Sequence, residues 1–224
     1  MPTTAADRPR RGRGARRPSP PTGDERRAAI LETAERLLGE RPLRDISIDD
    51  LARGAGISRP TFYFYFGSKD EVLLTLLEGV VAEADQGVME GFEQLAAEDC
   101  DPAHWWRRAL TAVYTAFGTR RAVTIAVAEA YAAGGEVRAR WEQFIQRWVE
   151  LTALAITAER ERGAAPDGLP AHELAVMLNA MNERVMLGTF GGFGSGVIAL
   201  DESTAVESIL TVWLDVIYRG RKAG

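Results

Sequence analysis

From about residue 24 to residue 219 the large apolar side chains recur every three or four positions, and no stretch alternates apolar with polar at a period of two. That spacing puts the apolar groups on one side of a 3.6-residue turn, so the chain reads as a succession of amphipathic α-helices and nothing else. The first runs from about Asp24, with Ile30, Ala34, Leu37 and Leu38 on one face, and ends at Gly39. Ser47 is the cap of a short second helix whose Asp49 and Asp50 sit at the positive end of its dipole, and Gly54 and Gly56 stop it after about two turns. Ser58 caps a third, Arg59 to Phe66, in which Pro60 is tolerated because a first turn needs no intrahelical donor. Ser68 and Glu71 then have capping-box spacing ahead of a long fourth helix marked by Val72, Leu73, Leu76, Leu77, Val80, Val81 and Ala84. Further helices are expected at about 102–117, 120–132, 135–162, 171–190 and 202–219, with breaks at Gly118, Gly134-Gly135, the 163–170 segment and the 191–196 segment.

At 224 residues the chain is long for one small helical domain and short for two large ones, which suggests a small head on a bigger body. The expected division is an Arg-rich arm over 1–23, a helix-turn-helix head over 24–69 and a ligand-binding and dimerisation domain over 70–224. No apolar run reaches the roughly 20 residues that cross a bilayer, and the N-terminus lacks the apolar core of a signal peptide, so a cytoplasmic protein without a membrane partner is expected. One cysteine, Cys100, with two histidines, His104 and His172, makes neither an internal disulfide nor a metal set. No phosphate-binding glycine loop or Ser-His-Asp arrangement is present either, so neither an enzyme nor a cofactor is expected.

The net charge of −5 argues against nucleic acid until its distribution is considered: residues 1–27 carry eight arginines against three carboxylates, a local +5, and the remainder carries −10. Such an arm is either a passive solubilising tail or a contact to phosphates and the minor groove. Two short helices separated by a glycine turn form the arrangement that projects a second helix into a major groove. Ile48, Leu51, Ala52, Ile57 and Phe62 can fix the angle between them, leaving Ser58, Arg59, Thr61, Tyr63 and Tyr65 outward. Arg59 alone carries a fork suited to guanine; Thr61, Tyr63 and Tyr65 suit backbone positioning, and Lys69 suits a phosphate near a helix N-terminus. With Ser47 and Pro60 these make the expected DNA-binding set, although aromatic runs in short helices are core more often than contact, which leaves Tyr63 and Tyr65 evenly balanced between the two. Residues 28–69 hold six acids and six bases, so the body of the head is not electropositive.

The rest of the chain is rich in large aromatics: Trp105, Trp106, Tyr114, Phe117, Trp141, Phe144, Trp148 and Trp213. Trp106, Val113 and Phe117 share one helix face, and Trp141, Phe144, Ile145, Trp148 and Thr152 share another, which by spacing alone reads as core. The helix at 174–187 is apolar nearly all round except for Asn179, Asn182, Glu183 and Arg184. Buried amides need partners, so a ligand, water or a dimer interface must meet that stripe. Ala205, Val206, Ile209, Leu210, Val212, Trp213, Val216 and Ile217 offer more apolar surface than one chain is expected to cover, which points to a four-helix dimer contact with the helix at 171–190.

The runs Ile46–Ala52 and Gly56–Lys69 resemble the DNA-binding signature of the TetR repressor family. Arg59–Phe66, Glu159–Pro166, Leu169–Leu174 and Met181–Arg184 resemble, more narrowly, its ethionamide-resistance branch, over about residues 24–219. The resemblance implies an all-α TetR-type repressor, a homodimer on double-stranded operator DNA, released by a small hydrophobic effector. It also implies a hydrophobic tunnel with Trp106, Val113 and Phe117 on one helix, Trp141, Ile145, Trp148 and Thr152 on a second, and Asn179, Asn182, Glu183 and Leu187 with Trp213 on the last two. A ligand-binding helical protein without DNA function is the alternative, and the intact Ser58–Lys69 segment argues against it.

Overall fold

The computed structural model describes residues 21–95, 101–191 and 200–219; the arm expected over 1–23 lies outside them apart from its last three residues. Among the described residues there is no strand, and the elements are helices: α1 (Gly23–Leu38), a 3-10 turn (Leu43–Asp45), α2 (Ile48–Gly54), α3 (Arg59–Tyr65), α4 (Lys69–Leu95), α5 (Pro102–Thr119), α6 (Arg121–Ala133), α7 (Gly135–Glu161), α8 (Ala171–Thr189) and α9 (Glu202–Tyr218). None of these is long and apolar enough to cross a membrane.

Local chemistry sets the ends. Thr22 and Glu25 close a capping box at α1, and Ser47 and Asp50 close one at α2, each satisfying two backbone donors that the first turn leaves free. The hydrogen bond from the Thr22 backbone holds the Glu25 carboxyl below its usual range, and that from the Ser47 hydroxyl does the same for Asp50. Both acids therefore stabilise the fold above the ordinary carboxylate pKa, and this support is lost as pH falls through the lowered values. At the other end of α2, the Ile57 amide donates to the Ala52 carbonyl (2.9 Å) and the Gly56 amide to that of Arg53 (3.2 Å), with Gly56 at φ 68°. This is a Schellman closure, and its left-handed residue is why glycine stands at the helix-turn-helix corner.

The head is a three-helix cluster over Ile30, Ala34, Leu37, Leu51, Phe62 and Phe66, completed by Val72, Leu73 and Leu76 from the first turns of α4. The same helix then buries Leu77, Val80, Val81 and Ala84 in the larger core of the body. Its far end lies so close to α5 that a Cβ on Gly87 would stand 2.4 Å from that of Ala112. Glu78 and Asp85, seven apart on α4, pair with Arg140 and Arg147, seven apart on α7.

Gly118, expected to end a helix, lies inside α5. A side chain there would meet the Phe190 ring at 3.0 Å, so the glycine serves close approach, not termination. The break falls at Arg120, whose guanidinium reaches Glu35 of α1 (3.6 Å) and Glu83 of α4 (3.9 Å). The C-terminal helix also corrects an expectation: Ala205, Ile209, Leu210, Trp213 and Ile217 are covered by the chain's own fold. Only Val212 and Val216 of that group are exposed, and on α8, which packs on α9, Val176 and Met177 are exposed as well.

The α4–α5 seam yields a test. Alanine at Gly87 gains about 1 kcal/mol of helix propensity, yet it forces two Cβ atoms into overlap and the helices apart, an effect of about 1–3 kcal/mol. Gly87→Ala is therefore expected to lower the urea unfolding midpoint; an unchanged or raised midpoint would mean that the two helices have room for a methyl group at this seam.

Candidate functional site

Phe62 and Phe66, one helical turn apart, tie the third helix and the residue after it to the core of the head, being 0% and 1% exposed. Everything opposite them faces out. Phe64 stands on that side and is 83% exposed, with Tyr63 beside it at 47%. Ser58 caps α3 by accepting from the Thr61 amide (3.3 Å), and the two hydroxyls lie 2.8 Å apart. Pro60 occupies the first turn, and Ser58, Arg59 and Pro60 are all exposed. Tyr65 is half-buried against the head, its ring edge-on to that of Phe64 at 5.2 Å. Ser47 lies at the start of α2 and spends its hydroxyl on Asp50 at 2.7 Å.

Phe64 is not among the expected contacts, since it offers a base or phosphate no hydrogen bond. The periodicity contained the signal: residue 64 is two positions from each of the buried Phe62 and Phe66, hence on the other side of the helix. An exposed phenylalanine on a groove-facing helix can pack on a thymine methyl.

Arg59 Nη1 donates to Asp49 Oδ2 at 2.7 Å, and its Nη2 lies 3.4 Å from the Tyr63 hydroxyl. The tyrosine hydroxyl first, and the aspartate charge second, raise the guanidinium's pKa further above its already high value. Lys69 is placed otherwise than expected. Its ammonium donates to the carbonyls of Leu43 (2.8 Å), Ile46 (3.2 Å) and Arg44 (3.3 Å). Those are all the donors an ammonium has, so the geometry gives Lys69 the task of holding the 3-10 turn in place of the phosphate contact expected.

Within the body a cavity of about 40 Å³ is lined by seven of the residues expected for a tunnel, Trp106, Val113, Trp148, Thr152, Asn179, Asn182 and Trp213. Val88, Trp105, Ala109, Leu110 and Leu151 complete the wall. Phe117 and Trp141 stand one layer back, with Phe117 edge-on to both Trp141 (5.6 Å) and Trp148 (6.1 Å), and Trp141 donates to the Glu183 carboxylate. Ile145 and Leu187 do not line the cavity. Asn179 is spoken for, donating to Thr152 Oγ1 (3.0 Å) and to the Ala175 carbonyl (2.9 Å). By contrast, Asn182 Oδ1 and Trp213 Nε1 are buried without a hydrogen-bond partner.

The wall is wired outward at two points. Trp148 Nε1 donates to Asp85 Oδ1 of α4 at 2.9 Å. Trp106 Nε1 donates to the Tyr218 hydroxyl (3.0 Å), which in turn donates to Glu159 Oε2 (2.8 Å), a carboxylate fully buried and forked by Arg162.

Residues 30–76 match the family of bacterial regulatory proteins of the tetR type, and residues 106–219 match the C-terminal domain of the transcriptional regulator EthR. Over 218 residues the chain is 49% identical to the HTH-type transcriptional regulator EthR of Mycobacterium tuberculosis, spanning 97% of this chain and 98% of that one. A protein of the same name from Mycolicibacterium smegmatis is 44% identical over 218 residues, spanning 97% and 96%. The fold is similar to that of a TetR-family transcriptional regulator from Syntrophomonas wolfei, with a TM-score of 0.71 over 90% of this chain and 99% of that one, at 18% identity.

Two substitutions separate contact from support. Phe64→Ala is expected to leave the melting temperature unchanged and to weaken DNA binding at least about ten-fold, a loss of about 1.4 kcal/mol. Lys69→Ala leaves three carbonyls short of a charged donor and is expected to destabilise the fold by about 1–3 kcal/mol. Thermal melts and electrophoretic mobility shifts decide both; a Lys69→Ala protein that melts normally but binds DNA poorly would restore the phosphate role.

Proposed function

The chain belongs to the TetR family of bacterial transcriptional regulators, with an EthR-type C-terminal domain, and from that premise we propose that it is a homodimeric repressor displaced from operator DNA by a small hydrophobic effector. The DNA half of this reading rests on α3, which is held from one side by Phe62 and Phe66 and offers Ser58, Arg59, Thr61, Tyr63 and Phe64 on the other. Two such helices about one DNA turn apart, ~34 Å, fit successive major grooves. For the dimer the support is the exposed quartet Val176, Met177, Val212 and Val216, a patch on adjacent helices whose burial favours a second copy.

For the effector the carrying observation is the cavity itself. Its lining is aromatic and aliphatic, and its volume of about 40 Å³ is far below the roughly 300–1,000 Å³ that holds a drug-sized molecule. A ligand of that size enters only by driving the walls apart. One wall is α4, through Val88, and a second, Trp148, is hydrogen-bonded to α4 through Asp85. Spreading the cavity therefore moves the helix whose first turns complete the head. Each head follows its own α4, so the spacing between the two recognition helices changes, and the ligand shifts the population by its differential affinity for the two spacings.

Two unpartnered polar atoms narrow the effector's chemistry to an apolar body carrying a donor for Asn182 Oδ1 or an acceptor for Trp213 Nε1. Compounds of a hydrophobic panel that raise the melting temperature are expected to weaken operator binding in the same rank order, measured by fluorescence anisotropy. Asp85→Asn, which removes the anion between Trp148 and Arg147, is expected to keep the ligand-induced thermal shift and to reduce the effect on DNA. Stabilisation with DNA affinity unmoved in the unaltered chain would refute the coupling.

A further inference from the structure

Two aspartates follow the cap of α2, and they are used differently. Asp50 is consumed locally, by the Ser47 amide and hydroxyl and by Arg41 (3.1 Å) and Arg53 (3.6 Å). Asp49 takes no part in the capping box and instead crosses to α3, where it holds Arg59 Nη1 at 2.7 Å. Both partners stand at the surface, 50% and 53% exposed, on the side of the head that carries Ser58, Tyr63 and Phe64. A carboxylate on a face that meets phosphates weakens binding to every sequence. Its presence there calls for a compensating use.

We propose that Asp49 is a positioning residue for DNA recognition: it buttresses Arg59 so that the free edge of the guanidinium is aimed at one guanine. This rests on the reading of Arg59 as the base-reading residue. The geometry is that of a clamp. Asp49 fixes Nη1 from the α2 side, while the guanidinium carbon lies 5.9 Å over the Tyr63 ring, with Nη2 3.4 Å from its hydroxyl. Of the five N–H groups these contacts use two, leaving Nε–H, a second Nη2–H and a second Nη1–H for a base edge. An unrestrained arginine samples many rotamers and reaches phosphates as readily as bases; a planar fork held on one side is biased away from the backbone. Asp49 thus trades general affinity for discrimination.

That trade has a signature opposite to a merely structural role, which would weaken binding to all DNA together. The experiment takes the full-length protein through selection on a random 30-base-pair duplex library, then measures affinity for the selected duplex and for one of scrambled sequence. For Asp49→Asn, the expected result is loss of one guanine per half-site from the selected motif. Preference for the selected over the scrambled duplex falls by about five-fold or more, the span that one bidentate contact supports. Affinity for the scrambled duplex rises by roughly two-fold, as removal of one nearby charge predicts. Arg59→Ala is expected to lose the same guanine, and in the double variant the Asp49 substitution no longer affects that position but still raises scrambled-duplex affinity. Circular dichroism melts confirm that each variant is folded.

If Asp49→Asn selects an unaltered motif while Arg59→Ala loses the guanine, the buttress is overturned and Arg59 stands alone as reader. If Arg59→Ala retains every guanine, the reading of Arg59 itself fails. If Asp49→Asn binds the selected duplex more tightly with its preference intact, Asp49 is a brake on Arg59, and the buttress is again overturned.

Discussion

One continuous core runs through the chain, and α4 is the helix that carries it from the head into the body. Val72, Leu73 and Leu76 complete the small head, and Leu77, Val80, Val81 and Ala84 continue the same face into the body. The head is too small to hold three short helices by itself, since two-turn helices are far below the length that is stable in isolation. It therefore exists as a domain only because α4 supplies the fourth side. On the proposed reading that dependence would make α4 a lever, because its contacts with α5 and α7 hold the helix whose first turns complete the head. Glycine at residue 87 and the paired acid–arginine contacts at 78/140 and 85/147 are the means by which the body grips it.

Most of this architecture was legible in the sequence because helix ends are chemical events. Ser47 and Ser58 accept from backbone amides where their spacing to the following residues predicted, and Gly56 turns the corner with a positive φ that few other residues adopt. The structure adds what local pattern lacks where a residue's type has two physical uses. Gly118 looked like a helix stop and is a gap for the Phe190 ring, a tertiary fact that no local pattern records. Lys69 looked like a phosphate ligand and is turned inward on three carbonyls, because the 3-10 turn that it serves has no sequence signature. Phe64 is the reverse case, an apolar side chain that faces outward. In the body the aromatic faces were recognisable by spacing, but which rings touch the cavity and which stand one layer back depends on crossing angles among α5, α7 and α8.

The head's electrostatics complement its shape. Equal numbers of acids and bases over residues 28–69 give it no general pull on DNA, and its arginines are largely engaged: Arg36 with Glu40, Arg41 and Arg53 with Asp50, Arg44 with Glu129, Arg59 with Asp49. Exposed pairs of this kind contribute little to stability, about 0–1 kcal/mol each. Their larger consequence is to keep the charges from acting independently on phosphates. A head so neutralised would discriminate by fit more than by attraction, which suits a DNA-binding regulator that must find one site among very many competing ones.

The cavity follows the same logic of restraint. Burying Asn182 Oδ1 and Trp213 Nε1 without partners costs about 1–3 kcal/mol for each group, in a core otherwise packed with stacked and edge-on tryptophans. The neighbouring Asn179 shows that the same helix can satisfy both N–H groups of an amide, by Thr152 and its own backbone. On the proposed reading, the two unsatisfied groups in the wall of one cavity are where a ligand would recover what folding forgoes. An apolar molecule that meets either atom gains that recovered hydrogen bond in addition to its own burial, while one lacking polar groups gains burial alone. Selectivity among effectors of similar size would then come from those two atoms, and the work of opening the cavity, exerted against Val88 and the Trp148–Asp85 bond, would be common to all of them.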